Sequence, residues 1–200
     1  MTRGALRASA FLLTAVALAG CPSMPQRAPV EPQTWDARRA ELQTRETFAL
    51  AGRVAVASGS EGFNARLRWQ QSGATSDVAL DGPLGTGGVR ITSDGSRLTV
   101  ETSRGEALDA DAARAEIARR IGFEPPLASL RYWVLGVPDP ASPATEVLDE
   151  EARLASLEQG GWRIDYTDYA AVDGRWLPKR LTLNHDGVRV RLLVENWRTS

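Results

Sequence analysis

From Phe48 onward the chain alternates. Phe48, Leu50, Gly52, Val54 and Val56 take every second position of one segment. In the next, Phe63, Ala65, Leu67 and Trp69 alternate with Asn64, Arg66, Arg68 and Gln70. Successive side chains of a strand point to opposite faces, so a period of two gives each segment one apolar and one polar face. Val78 with Leu80, Val89 with Ile91, and Leu98 with Val100 mark three shorter strands. Arg153–Gln159, Trp162–Tyr169, Pro178–Asn184 and Val188–Trp197 resume the pattern, the last with Val188, Val190, Leu192 and Val194 opposite Arg189, Arg191 and Glu195. Gly59, Gly62, Gly73, Gly82, Gly85, Gly87, Gly88 and Gly95 punctuate the first half. Short alternating strands joined by such turns predict a mainly β, antiparallel sheet of roughly ten or eleven strands.

Three short helices accompany the sheet. Thr34–Thr47 opens on Thr34 as N-cap and puts Trp35 and Leu42 on one face. A segment from Asp109 to Ile121, rich in Ala and Arg, ends at Gly122. Leu127–Leu135 carries Leu127, Leu130, Trp133 and Val134 at helical spacing, before Gly136 and Pro138 stop it. The one-sided strands fit a sheet that is wet on one face. They fit equally a sandwich with a dry core, or one strongly curled sheet. A sheet this wide tends to curl or split, and a curled one can enclose more space than side chains fill.

The first residues are an address. Arg3 and Arg7 precede an apolar run from Ala8 to Ala19. This is the layout of a secretory signal peptide, and the run is shorter than the ~20 residues of a membrane-spanning helix. It ends in Leu18-Ala19-Gly20-Cys21, which resembles the lipobox of bacterial lipoproteins. The resemblance implies cleavage before Cys21, attachment of diacylglycerol to its thiol and acylation of the new amine. Several acyl chains anchor a protein stably where one does not. By the same resemblance, Pro22 in place of Asp after the cysteine favours the outer membrane over the inner. Residues 1–20 are thus read as signal peptide. Residues 21–33, with Pro25, Pro29 and Pro32, are a semi-extended tether, and residues 34–200 one domain.

Composition removes several function classes. With 24 basic and 25 acidic residues there is no basic footprint for nucleic acid. One Cys excludes an internal disulfide, and one His, His185, excludes a His-rich metal site and would be the only base of a catalytic triad. No Gly-x-Ser-x-Gly motif is present, which disfavours a periplasmic lipid hydrolase. The stretch Gly82–Gly88 holds no Lys and is no phosphate-binding loop. No cofactor or metal is expected, and no enzymatic activity. His185, beside Asp186 and Gly187, reads as a hairpin-turn residue, and Asp149, Glu150 and Glu151 as a solvated loop.

Several stretches together resemble the LolB family of outer-membrane lipoprotein receptors. They are the lipobox, Phe48-Ala-Leu-Ala-Gly-Arg-Val-Ala-Val56, Arg68-Trp69-Gln70-Gln71, Gly82-Pro83-Leu84-Gly85, Leu130-Arg-Tyr-Trp-Val-Leu-Gly-Val-Pro138, Gln159-Gly-Gly-Trp162, Leu177-Pro178 and Trp197. The resemblance spans nearly all of residues 21–200. It implies an unclosed barrel of about eleven strands with an apolar cavity and a three-helix lid. It also implies a monomer on the periplasmic face of the outer membrane that accepts acylated lipoproteins from the periplasmic carrier LolA and passes them into outer-membrane lipid without nucleotide hydrolysis. LolA is similar in fold but soluble, so Cys21 separates the two. An anchored structural module with a dry β core is the competing reading. Leu67, Trp69, Val78, Leu80, Ile91, Leu130 and Trp133 occupy the apolar phase of their elements and are expected to line the cavity, with Trp197 used for packing. The family places a protruding leucine in its Pro-Leu-Gly loop, which makes Pro83, Leu84 and Gly85 the expected membrane-insertion loop. The alternative is a Leu84 folded back on the core.

Overall fold

The computed structural model describes residues 30–82, 88–95, 97–102, 107–108, 111–112, 115, 123 and 125–199. The lipobox with Cys21, most of the tether, and the loop residues Pro83, Leu84 and Gly85 lie outside the described residues, as does most of the segment from Asp109 to Ile121.

Helix α1 spans Trp35–Gln43. Thr34 caps it, its hydroxyl accepting from the Ala37 amide at 3.3 Å. The expectation ran the helix on to Thr47, but it closes at Gln43 because Thr47 already begins the first strand. Strands follow as β1 Thr47–Ser58, β2 Glu61–Ser72, β3 Thr75–Asp81, β4 Val89–Ser93, β5 Leu98–Thr102 and β6 Ala107–Leu108. Helix α2, Leu127–Trp133, precedes β7 Ala144–Leu148, β8 Leu154–Gln159, β9 Trp162–Val172, β10 Arg175–His185 and β11 Val188–Thr199. Strands β6 and β7 carried no alternation strong enough to be read from sequence. The first has two residues, and the second leaves Val147 and Leu148 exposed.

All strands join one antiparallel sheet in the order β6-β5-β4-β3-β2-β1-β11-β10-β9-β8-β7. Two meanders are therefore sewn together by a single non-local pairing, β1 with β11. The sheet ends at β6 and β7, and the chain crosses between these open edges through α2. Ten strands have five residues or more; β6 is a two-residue addition at the edge.

The alternation becomes a single buried face. Phe48, Leu50, Val54 and Val56 of β1 join Leu67 and Trp69 of β2, Val78 and Ile91 of β3 and β4, and Leu181, Leu183, Leu192 and Val194 of β10 and β11 in one core. At the seam the register slips: Ala51 pairs with Asn196 but Gly52 with Val194, leaving Glu195 as the extra residue of a bulge. A bulge bends its strand and sharpens the twist. Gly52 permits this, since a Cβ there would stand 2.0 Å from the Leu193 carbonyl oxygen. A second slip at Pro178–Arg180 bends β10 against β9, at a proline that has no amide hydrogen to offer the ladder.

Candidate functional site

On the inner face of the bent sheet, strands β1 to β4, β10 and β11 present apolar side chains towards α2. Between them lies a space of about 100 Å³. Leu67, Trp69, Val78, Leu80 and Ile91 form one wall of it, and Val54, Val56, Leu183, Val190 and Leu192 the other. Leu127, Leu130 and Val134 of the α2 segment close it, with Phe123 and Pro125 beside them. Among the described residues every one that lines the space is apolar.

Six of the seven residues expected at the cavity thus meet around one space: Leu67, Trp69, Val78, Leu80, Ile91 and Leu130. Trp133 does not border it. Residues of an α-helix are set about 100° apart, so the stripe Leu127, Leu130 and Val134 leaves Trp133 facing sideways. Its ring is buried against Trp162, centroid to centroid 6.2 Å. Its indole N–H donates to Gln159 Oε1 at 2.8 Å. Trp133 is an anchor of the helix and not a lining residue.

Sequence reasoning missed the far wall. Val54, Val56, Leu183, Val190 and Leu192 stand in the apolar phase of their strands, which was legible. That β11 returns beside β1, so that Leu183, Val190 and Leu192 join the space lined by Leu67 and Ile91, was not.

The two ends of α2 are held differently. Its C-terminal end is fixed. Gln159, buried on β8, accepts from the Trp133 indole and from the Asp139 amide at 2.9 Å, and its amide nitrogen donates to the Asp139 and Ser142 carbonyls, both at 2.8 Å. The buried hydroxyl of Tyr166 donates to the Trp133 carbonyl at 2.9 Å. Gly136, at φ +79°, ends the helix: the Val137 amide reaches back to the Tyr132 carbonyl and the Gly136 amide to that of Trp133. The N-terminal end has one such tie, the Ser129 hydroxyl donating to Asp139 Oδ2 at 2.7 Å. Pro126 supplies no side-chain cap, and Leu127 and Leu130 are half-buried. Midway, Arg131 donates to the Gly73 carbonyl of the β2–β3 turn at 3.2 Å.

Burial pushes the Tyr166 hydroxyl well above its usual value, with the neighbouring Tyr169 adding to it. Burial likewise raises Tyr169, helped by the charge of Asp149. Both phenols are therefore neutral donors at physiological pH. Glu41 of α1 goes the other way. Burial would raise it, but hydrogen bonds from Arg175 and Gln33 hold its carboxyl below the ordinary value.

The remaining sequence candidates are structural. His185 ends β10 at the turn formed by Asp186 and Gly187, stacks on Trp162 at 4.8 Å, and contacts the Gly161 carbonyl through Nδ1. Asp149 is less solvated than expected, because it grips the Arg153 guanidinium at 2.8 Å and caps the β7–β8 turn. Trp197 packs on Phe48 and donates to the Pro178 carbonyl. Among the described residues no cluster of His, Cys, Asp and Glu could hold a metal ion.

The chain is similar to known proteins in sequence and in fold. The family described as outer membrane lipoprotein LolB matches residues 46–197. The outer-membrane lipoprotein LolB of Nitrosococcus oceani is 36% identical over 194 residues, covering 96% of each chain. That of Pseudomonas aeruginosa is 33% identical over 196 residues, covering 96% of this chain and 94% of the other. In fold, the chain is similar to a LolA superfamily protein from Nitrosomonas europaea, with a TM-score of 0.53 at 11% identity over 84% of this chain and 94% of that one. A DUF1329 family protein from Desulfovibrio piger gives a TM-score of 0.52 at 7% identity over 83% and 91%. With the family matched across its whole sheet and the relatives aligned over almost its full length, the chain belongs to the LolB family of outer-membrane lipoproteins.

Proposed function

We propose that this protein is a lipoprotein receptor that takes acyl chains from a LolA-like carrier into the space beneath α2 and passes them to outer-membrane lipid. The observation that carries this reading is a space lined only by apolar side chains among the described residues, closed by a helix with more buried polar ties at its C-terminal end than at its N-terminal end. A triacylated cysteine carries on the order of 40 methylenes, and exposing them all to water would cost about 30 kcal/mol at about 0.8 each. Free diffusion between membranes is thereby excluded. Moving the chains from one apolar cavity to another leaves that term nearly unchanged. Transfer then runs on an affinity difference of a few kcal/mol, since about 1.4 kcal/mol is a factor of ten. No covalent step and no nucleotide are needed.

The space of about 100 Å³ is well below the roughly 300–1,000 Å³ of ordinary ligand pockets. The described form is therefore a closed one, and uptake requires α2 to lift. Trp133, Gln159 and Tyr166 hold the C-terminal end, so the movement is a swing of Leu127 and Leu130 away from Leu67 and Ile91, with Gly136 near the pivot. In this reading the lid comprises three helices: α1, α2 and the helix expected within residues 109–121. Cys21 anchors the chain, and Pro83, Leu84 and Gly85 form the loop that touches lipid during release. A small volume is also what a dry structural module would show, so the test must separate the two.

The mature lipidated protein, in vesicles, is mixed with a carrier–lipoprotein complex. Lipoprotein should leave the carrier and appear on the protein. A folded protein that acquires none would make the sheet a structural module.

A further inference from the structure

The polar face of the sheet has a pattern that the transfer of acyl chains does not use. Where the β1–β11 bulge bends the sheet, its outer side forms an open depression of about 1,040 Å³ across β2, β1, β11 and β10. Arg53, Arg66, Arg180 and Arg191 line it, against a single acid, Asp81. The register places Arg53 directly opposite Arg66, and Leu193 between Arg53 and Arg180. Arg191 sits one step further along, opposite Ala55 and Thr182.

Like charges directly opposite on neighbouring strands are destabilising. Only part of this charge is answered within the fold. Arg53 pairs with Glu195 at 2.7 Å. Asp81 is already engaged by Arg68 at 2.8 Å. Arg66, Arg180 and Arg191 are exposed and have no ion pair among the described residues. Elsewhere on this face Arg163 is matched by Glu158 and Asp165, Lys179 by Asp168 and Arg90 by Asp77, whereas Arg189 reaches only the Asn184 side-chain oxygen and Arg198 has no ion pair among the described residues. A chain of net charge −1 therefore concentrates three unanswered guanidiniums in one depression. Guanidinium forks match phosphate oxygens in geometry as well as charge.

We propose that this depression is a docking surface for the phosphate groups of anionic lipids in the membrane that carries the protein. The inference rests on the reading that Cys21 anchors the chain there. A tether from residue 21 to 33 reaches at most about 45 Å when extended, comparable with a domain roughly 40 Å across, so this face can lie on the bilayer. Lipid phosphates are then held at high effective concentration beside it. Gly82 lines the depression, and the expected membrane-insertion loop begins at the next residue. Docking through the arginines would bring that loop to the lipid surface.

The test uses the mature lipidated protein in vesicles of phosphatidylethanolamine with or without phosphatidylglycerol. The only native cysteine is acylated, so Thr182→Cys supplies a single site for a dye beside the arginines. Contact is read as quenching by headgroup-labelled lipid. Phosphatidylglycerol should increase quenching, and added salt should reverse it. Each arginine near an anionic surface is worth roughly fivefold in the docked-to-free ratio, so Arg66→Gln, Arg180→Gln and Arg191→Gln together should lower that ratio on the order of a hundredfold. The corresponding triple Lys variant should retain most of the effect, and Arg163→Gln, outside the depression, should change nothing. Equal quenching with and without phosphatidylglycerol, or a triple Gln variant that still docks, overturns the proposal. So does a triple Gln variant whose only defect is slower uptake from the carrier, which would assign the face to an acidic protein partner. Failure of the protein to enter vesicles at all would instead refute the anchoring reading. Thermal melting of each variant confirms folding, which loss of like-charge repulsion should not impair.

Discussion

Gly52 shows how a single missing side chain shapes the sheet. Its ideal Cβ position stands 2.0 Å from the Leu193 carbonyl oxygen and 3.0 Å from the Val194 Cα, both backbone atoms that cannot step aside. Gly52→Ala should therefore cost about 2–3 kcal/mol, as overpacked cores do, read as a lower urea midpoint. An unchanged midpoint would mean that the bulge can slide. Leu84, in the proposed membrane-insertion loop, would be the opposite kind of residue, valued for what it touches outside the domain. Leu84→Glu should alter stability by less than about 0.5 kcal/mol, the usual range for an exposed turn. Acyl-chain uptake from the carrier should persist. Release into liposomes should fall roughly tenfold or more, because carrying a carboxylate into acyl chains costs up to about 3 kcal/mol. Loss of both steps, or a large drop in melting temperature, would make Leu84 a core residue.

Helix α2 is an element whose two ends have different jobs. Gln159 serves the fixed end by satisfying four polar groups at once. Gln159→Leu strands the Trp133 indole and the Asp139 amide without acceptors, at about 1–3 kcal/mol for each buried group. The variant should lose about 3 kcal/mol in urea unfolding. Arg131→Met breaks the link to the Gly73 carbonyl and the stacking of the guanidinium over the Tyr132 ring at 4.6 Å, each worth about 1 kcal/mol. It should destabilise the fold less than Gln159→Leu but admit a hydrophobic dye faster in stopped flow. If the Arg131 variant binds dye at the unaltered rate, the tie between α2 and the β2–β3 turn does not gate the space. The same helix shows where periodicity misleads. Leu127, Leu130, Trp133 and Val134 look like one stripe in sequence, yet Trp133 turns to β8 and β9. The indole N–H does not separate the two tryptophans, since Trp69 donates to Gln71 from the wall of the space and Trp133 to Gln159; the position of Trp133 around the helix does.

At the scale of the whole molecule, two buried phenols tie stability to alkaline pH. Tyr166 donates to the Trp133 carbonyl and Tyr169 to the Leu154 carbonyl, and both titrate above their usual range in the fold. In the unfolded chain they ionise near pH 10. Above that pH the unfolded state holds fewer protons than the folded one, so stability falls as pH rises. It should be level with respect to these groups below pH about 10, and then drop by up to about 1.4 kcal/mol per pH unit for each tyrosine. Urea midpoints across this range, compared with a Tyr166→Phe, Tyr169→Phe variant, measure the effect; equal slopes would remove the tyrosines as its cause. The anchor is tested in cells. Cys21→Ala should leave an uncleaved precursor that takes up no labelled palmitate. Cleavage and labelling of that variant would refute the reading of residues 1–21.

The sequence by itself determined what each segment does locally. The alternation from Phe48 to Trp69 and from Val188 to Val194 set which side chains are buried, because strand geometry allows no other sidedness once one face is apolar. Thr34 and Gly136 set helix ends through hydrogen bonds made within a few residues. The lipobox needs no fold to be read. Only the tertiary structure decided which apolar faces meet. Placing Leu183 and Leu192 opposite Leu67, Ile91 and Leu130 depends on β11 returning beside β1, a pairing about 140 residues apart that no local pattern encodes. The arginine depression has the same origin. Arg66, Arg180 and Arg191 each look like an ordinary solvated residue, and they become one surface only when β2, β1, β11 and β10 pair side by side.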